Sequence, residues 1–131
     1  MTATGDERLR RTLLMILLAV LALPVIAFAA LWIWVASTQG KPPAMFADVP
    51  QDFTDDQLWV ARMNVTFPTG TPEAVLVQRL RSEGFEVDPL SREGRYEWGN
   101  GIPCNHTVEV GWSADSGRIT AGRARYMNAC W

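Results

Sequence analysis

The chain has 131 residues and a formal net charge of −2. Beyond Ala44 it carries eight arginines against twelve aspartates and glutamates, so a domain built from that part has an acidic surface. This balance excludes nucleic acid as a partner, because phosphate binding relies on a basic face. The length that remains after an apolar N-terminal stretch leaves room for one small domain.

The dominant feature of the sequence is an apolar stretch over residues 12–36, which contains no charged residue. As a helix with a rise of about 1.5 Å per residue it reaches roughly 37 Å, enough to cross a hydrocarbon core of roughly 30 Å. The small domain that follows cannot bury such a segment on all sides. The stretch therefore predicts a single transmembrane anchor in contact with the lipid bilayer, in which Pro24 is tolerated as a kink.

The charges on either side of this stretch indicate its orientation. Arg8, Arg10 and Arg11 precede it, whereas Lys41 is the nearest basic residue behind it. An excess of positive charge marks the cytoplasmic side of a membrane helix. Residues 1–11 are therefore expected in the cytoplasm, and the rest of the chain is expected outside it.

Four residues are expected at the two membrane surfaces. Arg10 and Arg11 belong to the inner surface, and Trp32 and Trp34 belong to the outer one, because indole rings favour the headgroup region. The short basic N-terminal region and the use of arginine in preference to lysine favour a bacterial protein. The prediction is a single-pass protein of the bacterial inner membrane with a periplasmic domain.

A cleavable signal peptide is the competing interpretation of the same stretch. Residues 27–29, Ala-Phe-Ala, match the small-x-small pattern of a cleavage site, and Pro24 lies just before them. Cleavage after Ala29 would leave the apolar residues 31–35 as an exposed N-terminus. This consequence favours the uncleaved anchor, and the absence of a cysteine near the stretch argues against a lipoprotein.

Residues 37–50 have the composition of a linker. The residues that interrupt regular structure there are Gly40, Pro42, Pro43 and Pro50. Met45 and Phe46 are apolar, and they are expected either to fold back onto the domain or to lie at the lipid surface. The folded domain is accordingly predicted over residues 51–131.

Residues 58–67 alternate between two faces, one of which carries Trp59, Ala61, Met63, Val65 and Phe67. A period of two over ten residues predicts a β-strand. A short helix beginning after Thr54 is the alternative for the start of this segment, because two aspartates follow that threonine.

The strongest helix signal in the domain lies over residues 72–83. Thr71 is placed as the N-cap, Pro72 takes the first helical position, and an acid follows in the first turn. Gly84 is placed to end the helix in the left-handed conformation. The predicted buried stripe consists of Leu76, Val77 and Leu80.

Four further segments are predicted as strands because they are short, partly alternating and bounded by turn residues. They are residues 85–87, 95–98, 104–112 and 118–126. Residues 114–117, Ala-Asp-Ser-Gly, are expected to join the last two strands as a hairpin. The longer elements, without the three-residue strand 85–87, follow the order β-α-β-β-β, which predicts an α+β domain of two layers, with one helix packed on an antiparallel sheet.

The two cysteines, Cys104 and Cys130, are predicted to form one disulfide, because an even number in an extracytoplasmic domain indicates pairing. Two free thiols in a cytosolic domain are the alternative. A domain with a small core gains stability from such a link. A hairpin that pairs residue 113 with residue 118 leaves the cysteines out of register. A bulge is therefore expected, and Gly122 is the natural place for it.

Signals for catalysis and metal binding are weak. His106 is the sole histidine, and alternation places it on the same strand face as Cys104. A metal site needs three or four ligands, and no further residue completes the set, so no metal and no cofactor is predicted. The sequence contains no nucleophile elbow, phosphate loop or HExxH motif. An enzyme that uses His106 is therefore the least favoured function.

The best indication of function is a set of tryptophans and arginines, the residue types enriched at protein interfaces. They are Arg95, Trp98, Arg123, Arg125 and Trp131. The alternative is that these residues cover the second face of the sheet and pair with local acids. The sequence predicts a non-enzymatic, membrane-tethered module that docks on another envelope or membrane protein. A secreted inhibitor or ligand-binding domain, released by cleavage after Ala29, is the competing function.

Overall fold

The structure is a computed structural model that describes residues 3–51 and 55–131, and the chain divides into two compact units between Thr38 and Gln39. The first unit is a single helix, α1 (Ala3–Thr38), which continues through Pro24. Among the described residues, α1 is the one helix long and apolar enough to cross a membrane, and an 18-residue window of it has a mean hydropathy of 2.9. These properties are compatible with a single-pass anchor, and a signal sequence shares them.

The second unit contains, in its described part, two α-helices followed by one sheet. The helices are α2 (Gln57–Thr66) and α3 (Glu73–Ser82). The strands are β1 (Glu86–Asp88), β2 (Glu93–Gly99), β3 (Cys104–Asp115) and β4 (Arg118–Cys130). They pair antiparallel in the order β1-β2-β3-β4. The α+β class, the antiparallel sheet and the disulfide predicted from the sequence are confirmed.

Helix α3 ends where its local signals predict but begins one residue later than predicted. Pro72 is the N-cap rather than the first helical residue, and the Thr71 hydroxyl, which was expected to cap the helix, instead donates a hydrogen bond of 2.6 Å to the carbonyl of Pro68. Gly84 has a positive φ of 93° just past the end. The amide of Phe85 donates a hydrogen bond of 3.0 Å to the carbonyl of Leu80, which closes the last turn. Leu76 and Leu80 are fully buried, so this helix is held by the stripe that its sequence presents.

The segment predicted as a strand over residues 58–67 is helix α2, so the first element of the predicted order is wrong. Trp59, Met63 and Phe67 are buried and recur every four residues. A spacing of four satisfies a helical period of 3.6 as well as a strand period of two. Val65, on the same predicted strand face, is exposed, because only the helical stripe contacts the sheet.

The start of α2 is fixed by two carboxylates rather than by a side-chain N-cap. The Asp55 carboxylate accepts a hydrogen bond of 2.9 Å from the amide of Gln57. The Asp56 carboxylate accepts one of 3.3 Å from the amide of Tyr126 on β4. Thr54, after which a helix start was the alternative, lies outside the described residues.

Most of the segment predicted as a linker belongs to the folded domain, which begins at Gln39 rather than at residue 51. Met45, Phe46 and Val49 are buried in its core. A short 3₁₀ helix (Ala44–Phe46) directs Met45 and Phe46 inward, and the amide of Met45 donates a hydrogen bond of 2.9 Å to the Glu83 carboxylate. Of the two predictions for Met45 and Phe46, the structure shows folding back onto the domain.

The hairpin of β3 and β4 is tighter than predicted. Its turn consists of Ser116 and Gly117, both with positive φ, the geometry that favours a two-residue connection. One residue, Thr120, is extra in β4, so the register shifts there and not at Gly122. With this shift Cys104 lies directly opposite Cys130, and the disulfide joins the open end of the hairpin.

Gly122 is not the site of the bulge, and its lack of a side chain allows close packing instead. A Cβ atom at this position would lie 2.9 Å from Cγ of Met63 and 3.0 Å from Oδ1 of Asn64, both on α2. The Asn64 side chain also accepts a hydrogen bond of 3.1 Å from the Gly122 amide. The absent side chain thus lets α2 approach the backbone of β4.

Replacement of Gly122 by alanine tests this close approach. We expect Gly122→Ala to lower the free energy of unfolding by about 1–3 kcal/mol, because the added methyl group overpacks the contact with Met63. Ala121→Ser, an exposed change at the neighbouring position, is the control and should leave stability unchanged. Chemical denaturation of both variants measures the difference. Equal stabilities would show that α2 does not require a glycine there.

The disulfide closes a loop with a sequence separation of 26 residues. On the chain-entropy model, its loss in Cys104→Ser/Cys130→Ser should lower the free energy of unfolding by roughly 3–4 kcal/mol. The same denaturation experiment, run on the wild type with and without reductant, checks the value. A reduced wild type as stable as the oxidised one would contradict a stabilising role.

Candidate functional site: the open face of the sheet

The two faces of the sheet differ in what they carry. One face is the core side, where Val108, Val110, Trp112, Ala124 and Tyr126 are buried beneath the helices. The alternate positions point the other way, and their side chains are exposed or half-buried. We call this second surface the open face. It forms a shallow depression of about 620 Å³, which residues of all four strands line.

A row of alternating charges crosses the open face. The strand register places Glu86, Arg95, Glu109 and Arg125 side by side on β1, β2, β3 and β4. Arg95 pairs with Glu109 at 3.4 Å and also with Glu97 on its own strand. The hydrogen bond from Arg95 to Glu97, followed by the nearby negative charges, raises the pKa of the guanidinium. Arg95 is therefore engaged within the sheet.

Two arginines on β4 are differently placed. Neither Arg123 nor Arg125 has a carboxylate within 4.0 Å in the part of the chain that the structure describes. Arg123 lies across Gly111 of β3, where a Cβ atom would come within 2.5 Å of its Nε atom. Gly111 thus makes room for a guanidinium close to the sheet backbone. On β4, the open face therefore presents two exposed positive charges.

The opposite side of the open face is acidic. Glu86 and Asp88 on β1 lie beside Glu93 on β2, and all three are exposed. Asp88 accepts hydrogen bonds from Ser91 and from the amide of Leu90, and these bonds lower the pKa of its carboxyl group. The open face therefore has an acidic side on β1 and β2 and a basic side on β4.

The structure separates the five residues that the sequence grouped as a partner surface. Arg95, Arg123 and Arg125 share the open face, but Trp98 lies on the core side with an exposed fraction of 8 %. Trp131 is fully exposed and follows β4 beyond the disulfide. The acids of β1 were missed, since their place on this face depends on the pairing of a three-residue strand. The signal available in the sequence was alternation, because the two acids of β1 are two positions apart and therefore share one strand face, the face on which Glu93 lies in β2.

His106 belongs to the aromatic core rather than to the open face. Its ring stacks on Trp98 at 5.1 Å, and its Nδ1 atom lies 2.6 Å from the hydroxyl of Tyr126. Burial lowers the pKa of His106 and raises the pKa of Tyr126, so both groups are held neutral near pH 7. The role of His106 in this arrangement is to hold the neighbouring aromatic rings in place. Cys104 is not available as a nucleophile because it is in the disulfide.

Within the described ranges, no three His, Cys, Asp or Glu side chains are grouped so that they could hold a metal ion. His106 stands apart from the acids of the open face, which lie on the other side of the sheet. The chemistry that the open face offers is therefore the binding of charged groups through guanidinium donors and carboxylate acceptors.

The chain was compared with protein-family models, with curated proteins and with solved structures, and none of the three comparisons finds a match. The function must then be inferred from the residues of the chain itself. The open face and the candidate membrane helix are the two features that bear on it.

A second charged cluster holds α3 against the sheet. The Glu73 carboxylate accepts hydrogen bonds of 3.0 Å from Nε of Arg92 and 3.2 Å from Nε1 of Trp112. The bond from Arg92, followed by that from Trp112, lowers the pKa of the Glu73 carboxyl group below its ordinary value of 4.5. The stability that this carboxylate contributes is present above that pH and is lost as the pH falls through the lowered pKa.

Glu73→Gln tests the cluster through its pH dependence. At neutral pH we expect the substitution to lower the free energy of unfolding by about 1 kcal/mol, because charge-assisted hydrogen bonds are lost. The gap between wild type and variant should narrow below pH 4.5, as the wild-type carboxylate becomes protonated. Glu93→Gln, an exposed acid without an ion pair among the described residues, is the control. A gap that stays constant from pH 3 to pH 7 would contradict this role of Glu73.

Proposed function

We propose that this chain is a membrane-tethered, non-enzymatic binding module that docks on another envelope or membrane protein through the open face. The observation that carries the proposal is the pair of exposed guanidinium groups of Arg123 and Arg125 on that face, which have no carboxylate within 4.0 Å among the described residues. Arginine presents several donors in a planar fork, which suits carboxylates of a protein partner. The acids of β1 and β2 supply the complementary side for basic groups of the same partner.

The way the sheet edges are covered supports docking on the face. Along β4, the amides of Gly122 and Tyr126 already donate to Asn64 and Asp56. Strand β1 is three residues long and carries two acids. Covered, short or charged edges resist addition of a further strand. A partner therefore has the open face available, rather than an edge.

The charges of the open face set the kind of binding that is expected. Complementary charges raise the rate of association and select partners more than they raise affinity. Exposed charge pairs are also screened by salt. Docking through Arg123 and Arg125 should therefore weaken as the ionic strength rises.

The proposed topology has residues 1–11 in the cytoplasm, α1 across the bacterial inner membrane, and the domain in the periplasm. The excess of arginine before the apolar stretch supports this orientation. The disulfide between Cys104 and Cys130 supports an oxidising compartment for the domain. An accessory subunit of a membrane assembly is the role that fits these features.

Release by cleavage after Ala29 is a second candidate, and the unit boundary favours it. The domain forms a compact unit from Gln39 onward, so removal of residues 1–29 would leave its contacts intact. The product would be a secreted inhibitor or ligand-binding domain. N-terminal sequencing of the mature protein distinguishes the two candidates, because the anchored form retains residues before Ala29.

Charge reversal on the open face tests the proposal in the full chain, expressed in bacterial membranes. A photoreactive residue at position 113, an exposed open-face position of β3 that leaves both arginines in place, should cross-link to a partner protein, and Arg125→Glu should reduce the yield at least about tenfold, equivalent to about 1.4 kcal/mol of binding. Arg81→Glu, on the exposed side of α3, is the matched control and should leave the yield unchanged. A photoreactive residue at position 75 of α3 should give no adduct.

Two results would overturn the docking proposal. One is the absence of any reproducible adduct from position 113 when the protein is present in the membrane. The other is an equal loss of yield in the Arg125→Glu and Arg81→Glu variants, since that would show an effect of net charge rather than of the open face.

A further inference from the structure

One end of the domain is joined directly to α1. Gln39 follows Thr38, the last residue of that helix, and its side-chain amide donates a hydrogen bond to the carbonyl of Ile102. Gly40 packs against β2, where a Cβ atom would lie 3.3 Å from Cβ of Trp98. The first residues of the domain are thus attached to the loop between β2 and β3. We call residues 39–41, 100–103 and 131 the attachment end.

The attachment end carries two apolar side chains in the open. Ile102 has an exposed fraction of 53 %, and Trp131 is fully exposed. Their backbones are nevertheless held, because the amide of Trp131 donates a hydrogen bond of 3.0 Å to the carbonyl of Pro103. The Nε1 atom of Trp131 would lie 3.8 Å from a Cβ atom at Gly101, so the indole lies beside this loop. The two side chains therefore belong to one surface.

Lys41 adds a positive charge to the same end. It is the one lysine of the chain, it is exposed, and its carbonyl accepts a hydrogen bond of 3.2 Å from the hydroxyl of Tyr96. An indole ring, an aliphatic side chain and an ammonium group are the combination that favours the headgroup region of an anionic bilayer. A single exposed apolar side chain is ordinary on a protein surface, whereas here two of them share one surface with a cation.

We propose that the attachment end is a second membrane-contact site, at which Ile102 and Trp131 enter the headgroup layer and Lys41 meets anionic lipid. This proposal rests on the proposed function in one respect, namely that α1 spans the bilayer. The occupant is lipid because one peptide bond separates the end of α1 from Gln39. The headgroup layer extends roughly 5–8 Å beyond the hydrocarbon core, and the chain passes through it where it leaves the apolar helix and continues at Gln39.

The test uses the full chain with 5-fluorotryptophan in nanodiscs of phosphatidylethanolamine and phosphatidylglycerol. The ¹⁹F resonance of Trp131 is assigned with Trp131→Phe, a substitution at an exposed position. A lipid that carries a spin label on its headgroup should broaden this resonance and reduce its peak intensity by more than about half, because indole rings favour the headgroup region. The matched control is Leu90→Trp, which places an equally exposed indole in the turn between β1 and β2, away from the attachment end. Its resonance should stay sharp.

The outcomes separate this proposal from the one on which it rests. If Trp32 and Trp34 broaden and Trp131 does not, the membrane contact is overturned and the anchor stands. If none of the three broadens, the anchor fails and the contact fails with it. Equal broadening at Trp131 and at the indole of Leu90→Trp would also overturn the proposal, because it would show unspecific collision with lipid. A Trp131 resonance that responds to an added membrane protein, but not to lipid, would assign the surface to a protein.

Discussion

The domain depends on a stack of aromatic rings between its first segment, its first helix and its sheet. Trp59 of α2 is fully buried and lies 4.9 Å from Tyr126 of β4, with the rings nearly parallel. Phe46 packs on Trp59 at 5.0 Å, and Trp98 of β2 lies 5.9 Å from Tyr126. Aromatic side chains bury the largest apolar areas in a small core. This stack is why the segment before α2 is part of the domain.

Burial on one side of the sheet determines what the other side carries. Because strand residues alternate, the apolar positions of β3 and β4 are used by the core, and polar residues face outward. The register then sets Glu86, Arg95, Glu109 and Arg125 in one row. Glu109 is engaged by Arg95, so Arg125 has no carboxylate partner among the described residues. The binding chemistry of the open face follows from this distribution of pairs.

The two proposed contacts use different physical chemistry on different parts of the domain. The open face presents charges and suits a protein partner, whereas the attachment end presents Ile102 and Trp131 and suits lipid. The disulfide between Cys104 and Cys130 joins β3 to β4 at the open end of the hairpin, directly before Trp131. It therefore ties the strands of the open face to the attachment end. A small domain held at one end by lipid would keep its charged face free for docking.

The sequence by itself determined the features that rest on local chemistry. These are the apolar length of α1, the end of α3 at Gly84, the Ser-Gly turn region and the pairing of two cysteines. The alternation of β4 also placed Arg123 and Arg125 on one face. Tertiary structure alone decided that residues 58–67 are helical, that residues 39–50 join the core, and that Trp98 is buried. The spacing of Trp59, Met63 and Phe67 fits both a helix and a strand. Only packing against Tyr126 and Gly122 distinguishes the two, because that contact is made by residues some sixty positions away.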